Sequence, residues 1–490
     1  MEAQEYDVVI VGAGPVGLVA ALLLGKQCVS VLLLEKEPSA FPLPRAAHVD
    51  HEIMRIFQSI DVADEVAATS EISERYEFVN ASGDVLIRLD TGSANAISGW
   101  PPSNMIHQPS IEQVLRARVA DCEYIDARFG APYRTHEARG EVMSIYFETN
   151  GKTLQASCHF LIGCDGANST VRANAGMSLT DLGFSERWLV IDTKVIDPSR
   201  LPQHNLQICD PNRPTTSVRM GAGRHRWEVM LKPEEDERDV STPAFLADLL
   251  SSWGVDGSVH LERTAVYKFE AKIANSWMHD RVFIAGDAAH LMPPFAGQGL
   301  CSGIRDVDNL TWKLGAVLKG RANVALLSSY QLERDPHVRS MIDLAVSMGN
   351  VVCVTDPALA IARDKKLISD RQVNGDVLGA ISNPKLRTGF LYGESQIAGR
   401  LFPQFSRNGI RSDELFGQGA WLFGETDGVD GYALNEAGVG LPSVPLFSSA
   451  VSEWLRDNQC KAVLIRPDRV IFGGGDAVDL LTAYADGLSR

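Results

Sequence analysis

The sequence predicts an α/β protein built on a parallel, doubly wound sheet. An antiparallel sheet is inserted into it, and a further unit closes the chain. Three observations carry this prediction. A glycine-rich turn, GAGPVG (12–17), joins a β-branched run to an apolar run of helical length. Two more apolar runs, FLIG (160–163) and VFIAG (282–286), are each followed within two residues by an aspartate, Asp165 and Asp287. Between them the texture changes to short alternating segments.

In order along the chain, YDVVIVG reads as a buried strand, PVGLVAALLLGKQ as a helix and VSVLLLE as a second buried strand. That order makes a parallel pair with a right-handed crossover. SIEQVLRARVADC reads as an amphipathic helix opened by a capping box at Ser110 and Gln113. WLVIDTKV, TTSVRMG and RWEVMLK alternate as half-buried antiparallel strands do. After VFIAG comes a helix-like fragment and the loop MPPFAGQG, then a long amphipathic helix in SGIRDVDNLTWKLGAVLKG. AVLIRPDRVIFGGG reads as strand–turn–strand and DAVDLLTAYADGL as a closing helix. The expected units are 1–75, 101–175 and 268–385 for the doubly wound domain, 76–100 and 176–267 for the inserted sheet, and 390–490 for the last unit.

Composition bounds the function. With 490 residues the chain has room for two or three units. A net charge of −16 argues against nucleic acid and anionic membrane surfaces as partners. The apolar N-terminal run is broken by its glycines and preceded by acidic residues, unlike a signal peptide or a spanning helix. The eight cysteines form no CxxC and no zinc-ligand spacing, so no metal site is expected and free thiols in the cytoplasm are.

GAGPVG has the context of a dinucleotide fingerprint. Gly12 permits the tight turn, Gly14 lets backbone approach a pyrophosphate, and Gly17 lets helix and strand pack closely. Glu35 ends the second strand, 18 residues after Gly17, where a carboxylate accepts ribose hydroxyls. The fingerprint alone leaves NAD and FAD open. Asp165-Gly166 before a helix start near Ser169 reads equally as a helix-capping aspartate. A carboxylate at the C-terminal end of a strand, like Asp287, points into the ligand crevice. Three equipped strand ends suggest a ligand longer than a mononucleotide half, with a hydroxylated chain for Asp287.

Together, GAGPVG with Glu35, CDGANSTVR (164–172) and VFIAGDAAHLMPPFAGQGLCSGIRDVDNLTWKL (282–314) resemble the single-component, class A FAD-dependent aromatic hydroxylases of the para-hydroxybenzoate hydroxylase fold. PRAAHVDHEIMRIFQSI (44–60), RWLVIDT (187–193) and IRPDRVIFG (465–473) are most similar to the 3-(3-hydroxyphenyl)propionate hydroxylase-like branch. The resemblance implies a GR2-type FAD-binding domain, an inserted substrate sheet and a thioredoxin-like C-terminal unit without a redox CxxC. It implies an NADPH- or NADH-dependent monooxygenase that hydroxylates a phenolic substrate with O₂ through a flavin C4a-hydroperoxide. The alternatives are epoxidation or Baeyer–Villiger chemistry on another substrate, or FAD binding without oxygenation. The reductant binds transiently, and a homodimer is possible.

The resemblance also implies site residues. Gly12, Gly14 and Gly17 would hold the pyrophosphate of FAD and Glu35 its adenosine ribose, with Pro15 and Lys36 also binding the cofactor. Arg45 would meet the phosphates, and Gln108 the ribityl region. Asp165, Gly166 and Arg172 would lie near the pyrophosphate and serve the reductant. Asp287 would bind the ribityl chain, while Gly297, Gly299 and Leu300 would face the flavin ring. Pro294 would line the substrate side. Cys301 stands where many members carry asparagine. Candidates for the chemistry are His48, Asp50 and Arg226, with His107 also nearby. Candidates for the substrate are Arg219, through its planar fork, and His225. His290 is expected to pack rather than act as a base.

Overall fold

The computed structural model describes residues 4–489, except 41–44, 93–95, 379, 380, 382, 427, 428 and 436–443. Pro44 of the compared segment 44–60 therefore lies outside the described residues.

Five parallel strands form the base. In spatial order they are Val282–Ile284, Lys152–Gly163, Gln4–Val11, Val31–Glu35 and Ile125–Phe129. Four of them carry a fully buried apolar run, as burial on both faces requires, whereas Ile125–Phe129 at the sheet edge is only partly buried. Helix Pro15–Gly25 covers them, packed against helices Gln108–Ala120 and Gly299–Leu318. Register decides the function of this sheet. Val11 lies opposite both Gly163 and Leu34, and Gly163 lies opposite Ile284. Three motif-bearing strands, far apart in sequence, thus end in one row and open on the same crevice.

The second sheet has nine strands, mostly antiparallel. Its longest pair, Leu179–Val195 and Val259–Ala274, runs past the expected junction at 267 and joins the loop strand His290–Leu291. The junction is a shared strand pair, not a linker. Phe295 fastens the MPPFAGQG loop to this sheet through edge contacts with Trp188, Phe184 and Phe269, at ring-centroid distances of 5.5 to 6.4 Å. Buried aromatic pairs of this geometry are worth about 0.5–1.5 kcal/mol each beyond their area.

Two local expectations are corrected. The helix expected to start with a Ser110–Gln113 capping box begins at Gln108, with His107 as its N-cap. Pro109 suits the first turn, where an absent N–H costs nothing, and His107 Nδ1 meets Ser110 Oγ at 2.8 Å. The helix-like fragment after VFIAG is a single 3₁₀ turn, Gly286–Ala288, followed by a two-residue strand.

The last unit is a four-stranded sheet, each neighbouring pair antiparallel, ordered Val429–Asn435, Trp421–Thr426, Ala462–Ile465, Ile471–Gly475. Its first two strands pair antiparallel, with Leu422 opposite Leu434. Helices Val444–Asp457 and Ala477–Ser489 accompany it. Among the described residues no single helix is long and apolar enough to cross a membrane.

Candidate active site

The crevice at the row of strand ends leads into a cavity of about 350 Å³ between the two large sheets. Gly14, Pro15, Arg45, Gln108, Gly166, Asp287, Pro294, Gly297, Gly299 and Leu300 all line it. So do His48, Asp50 and Arg226.

The glycine turn has distinct requirements at each position. Gly12 sits at φ 101°, and a Cβ there would lie 2.4 Å from the Cys164 carbonyl oxygen. At Gly17 a Cβ would lie 1.9 Å from the Gly12 carbonyl oxygen. At Gly14 it would meet no atom within 4 Å. Gly12 and Gly17 are therefore demanded by the fold, whereas Gly14 leaves open room that only a ligand needs. Gly14 is the N-cap of its helix and no side chain caps it, so the first-turn N–H groups can serve an anion. Glu35 accepts hydrogen bonds from the N–H groups of Ala13 (2.8 Å) and Glu37 (2.9 Å), which fixes its carboxylate beside the turn. Lys36 is exposed next to it.

Asp165 is occupied by its own helix. It accepts from the N–H groups of Thr170 (2.7 Å) and Val171 (3.1 Å) and from the Ser169 hydroxyl. The Arg172 guanidinium donates to the carbonyls of Ala167 and Ala288, tying this turn to the Asp287 turn. Both residues build the crevice wall rather than present charge to it.

Asp287 differs. It opens to the cavity and makes no hydrogen bond with any described residue. Surrounding protein pushes its carboxyl above the usual range, with His290 and Arg45 pulling it partly back. A hydroxyl-bearing chain would supply its missing partner. His290 is buried and bonded through Nε2 to Asp306 Oδ2 at 2.7 Å, and Arg334 holds the other carboxylate oxygen. It packs, as expected.

Gln108 Oε1 accepts from the N–H groups of Arg45 (3.2 Å) and Ala46 (2.7 Å). This pins the segment that carries His48 and Asp50. Helix Gly299–Leu318 points its uncapped N-terminus, Gly299 and Leu300, at the same space. Cys301 is buried behind it, its thiol raised by burial and its Sγ 3.7 Å from the Gly297 carbonyl oxygen.

Asp50 caps helix His51–Ser59 through Oδ1 and binds Arg305 through Oδ2. Burial would raise its carboxyl, but Arg305 outweighs that and holds it well below the usual range. It is a positioning group with no oxygen left over. Arg226 is likewise committed, its fork set on Asp192 at 2.7 and 3.2 Å and its third nitrogen on the Arg45 carbonyl at 2.7 Å. His48 is different. Its Nδ1 lies 3.2 Å from the Gly297 carbonyl oxygen. A carbonyl only accepts, so Nδ1 carries the hydrogen and Nε2 is the acceptor in the neutral ring. Burial lowers its proton affinity below the ordinary histidine range, keeping it neutral.

The two expected substrate residues are misplaced by strand parity. Thr216 and Val218 line the cavity, so Ser217 and Arg219 face the other way. Arg219 pairs with Glu71 at 2.9 Å. His225, directly opposite Arg219, lies under Trp227 with Nε2 2.8 Å from Ser217 Oγ. Burial, then Arg219, pushes it down to about 3. His107 is off the cavity too, as a helix cap.

The residues that face the cavity instead are Tyr76, Asn205, Gln207, Thr216 and Glu228. Thr216 Oγ1 donates to Gln207 Oε1 at 2.8 Å, Gln207 Nε2 donates to Tyr76 Oη at 2.6 Å, and Tyr76 donates to the Phe295 carbonyl at 3.3 Å. The only sequence signal for them was strand alternation, whose phase a single segment leaves undetermined.

The family model described as "FAD binding domain" matches residues 5–345. The chain belongs to this FAD-binding family. A relative named "Probable NADH-specific resorcinol 4-hydroxylase", from Rhodococcus jostii (strain RHA1), is 34% identical and covers 97% of this chain and 93% of its own. A "3-(3-hydroxy-phenyl)propionate/3-hydroxycinnamic acid hydroxylase" from Mycolicibacterium gilvum (strain PYR-GCK) is 36% identical over 74% of this chain, and the match spans 63% of that relative. Among solved structures, aklavinone-11 hydroxylase in complex with FAD and aklavinone aligns with TM-score 0.78 at 23% identity, covering 100% of both chains. OxyS anhydrotetracycline hydroxylase from Streptomyces rimosus aligns with TM-score 0.74 at 21% identity, covering 99% of both. At such identities these two show the fold.

FAD fits the residues present. Room beside Gly14, two uncapped helix N-termini and the unpartnered Asp287 carboxylate match its pyrophosphate, ring edge and ribityl chain in turn. Gly14→Val tests this directly. A Cβ at this position meets no atom within 4 Å, so the variant should keep its circular dichroism and melting temperature. It should hold FAD roughly tenfold less tightly or worse, read by flavin fluorescence titration.

Proposed function

We propose that this chain hydroxylates a neutral phenol carrying a further ring hydroxyl, using NADH, O₂ and bound FAD. The observation that carries this reading is the cavity itself. On one side stands a flavin cradle made of three strand ends. On the other stands a sheet face bearing Tyr76, Gln207, Thr216 and Glu228, where the Arg226 guanidinium is already set on Asp192. Bound FAD would accept a hydride from the nicotinamide and activate O₂.

The protein's own groups do the rest. The Phe295 loop and the sheet face close the cavity and keep water from the reacting ring. Tyr76, fixed by Gln207, presents its phenol oxygen to the substrate, and burial raises that phenol so that it stays protonated. His48 Nε2 takes the proton of the substrate hydroxyl, making the ring electron-rich where oxygen arrives. Gln108, Asp50 and Arg305 hold the His48 segment in place. No disulfide links the described cysteines, which suits a reducing cytoplasm. A homodimer belongs to this reading, since helix Pro357–Asn374 turns Leu359, Ile361 and Val373 to solvent at 64%, 70% and 80% exposure.

The test uses purified, FAD-loaded protein. Resorcinol should stimulate NADH oxidation and yield a hydroxylated product in near-stoichiometric amount. A colourless protein that takes up no FAD, or phenols that never stimulate NADH oxidation, would refute the reading.

A further inference from the structure

Glu228 is a buried acid that no mechanistic step above requires. It lies on strand Arg224–Met230, two residues from Arg226 and on the same cavity face, at 7% exposure. Its cross-strand neighbours are Thr216 on one side and Val190 on the other. Its charged contact among the described residues is Oε1 to Arg226 Nη1 at 3.6 Å. That guanidinium is already saturated by Asp192, buried to 2% exposure, and by the Arg45 carbonyl. The other cations near this wall are also engaged. Arg75 binds Asp90 at 2.7 Å, and Arg263 reaches Asp192 at 3.5 Å. Burial, followed by the opposing pull of Arg226, raises this carboxyl above the usual range. A carboxyl oxygen accepts a hydrogen bond in either protonation state. A phenolic hydroxyl is its natural complement, whereas a second carboxylate is not.

We infer that Glu228 is the specificity-determining residue of the cavity, binding a ring hydroxyl of a neutral polyhydric phenol and keeping out phenols with a carboxylate side chain. This rests on the phenol hydroxylase reading above. The physical basis is asymmetric. A site built to hydrogen-bond a hydroxyl discriminates strongly against ligands lacking it, because its own buried group is then left unpaired. A carboxylate placed against this wall would also lose its hydration without gaining a cation.

The test compares resorcinol with 3-(3-hydroxyphenyl)propionate on the FAD-loaded enzyme, with kcat and KM resolved for each. The wild type should favour resorcinol by roughly a hundredfold or more in kcat/KM. Glu228→Leu should raise the resorcinol KM roughly tenfold or more while kcat changes little, and should narrow the preference. Glu228→Gln, which keeps a donor and an acceptor, should restore the resorcinol KM to within roughly threefold. Arg219→Ala, on the opposite face, should leave both KM values unchanged. If Glu228→Leu leaves the resorcinol KM as it was, the inference is overturned while the reading above stands; if the wild type prefers the acid, the inference and the neutral-phenol part of that reading both fall, and phenol hydroxylation itself stands. If neither phenol stimulates NADH oxidation, that reading fails instead. Should Glu228→Leu not fold, as judged by flavin content and circular dichroism, the substrate ratio in Glu228→Gln decides. A ratio unchanged within threefold supports the inference, and a reversal refutes it.

Discussion

Replacing His48 by asparagine is expected to cut kcat for phenol hydroxylation by about 10²–10⁴-fold, with FAD content unchanged. Asparagine can still donate to the Gly297 carbonyl, so the loop geometry survives and only the acceptor at Nε2 is lost. The pH profile separates this from a packing defect. Burial holds the His48 imidazole below the ordinary histidine range, so it is a neutral acceptor through neutral pH. As pH falls through its lowered value, the ring gains a proton and the rate should fall. That acid limb should be present in the wild type and absent from His48→Asn. Stopped-flow single turnovers with a phenol series would measure both. If the variant kept the limb, the proton would be going elsewhere.

The second large effect lies where the C-terminal unit meets the flavin-binding unit. Arg466 is fully buried and grips Glu333 at 2.9 and 3.1 Å, Asp468 at 3.0 Å through Nε, and the Phe390 carbonyl at 3.0 Å. Lys313 reaches the same Glu333 at 2.9 Å, and Trp312 donates to Asp468 at 3.2 Å. Both come from helix Gly299–Leu318, whose other end lines the cavity. Arg466→Met should destabilise the protein by about 3–5 kcal/mol, because it strands two buried carboxylates. Urea unfolding followed by fluorescence would read it, and FAD should be released earlier along the same transition.

The pH dependence has a defined sign. Burial alone would raise the Glu333 carboxyl, but Arg466 and Lys313 bring it down to about 2. A depressed acid contributes stability that is complete above the ordinary carboxylate range and lost as pH falls toward 2. The gap between wild type and Arg466→Met should therefore be widest near neutrality and should shrink across that acid window. A constant gap from neutrality to acid would contradict this account.

Much of the flavin side was legible in the sequence, because its demands are local. A turn at φ 101°, a Cβ-free approach and a carboxylate at a strand end each leave a mark within a few residues. GAGPVG, Glu35 and Asp287 could be read one motif at a time. Asp165 shows the limit of such reading. Its motif was visible, but whether the carboxylate faces a ligand or its own helix depends on where Ser169, Thr170 and Val171 place their donors.

The substrate side was barely legible. Arg219 and His225 were sensible choices by chemistry and wrong by one position in strand phase. Thr216, Val218, Arg226 and Glu228 face the cavity, and their immediate neighbours do not. A period-two pattern states that two faces exist, but not which one is functional. That is settled by the sheet on which the strand packs. Asp50 and Arg226 were legible as charged groups near the flavin, yet their partners, Arg305 and Asp192, are 255 and 34 residues away.

The sequence by itself therefore determined the doubly wound base and FAD as the cofactor, since the motifs behind both follow from backbone conformation over a few residues. Tertiary structure alone decided which charges are spent on one another and which remain for a ligand. Ion pairs such as Arg226–Asp192 and Arg466–Glu333 form across distant segments, and burial fixes the protonation of whatever they leave over. Among the residues lining the cavity, His48, Asp287 and Glu228 keep polar atoms that the described residues do not fully partner.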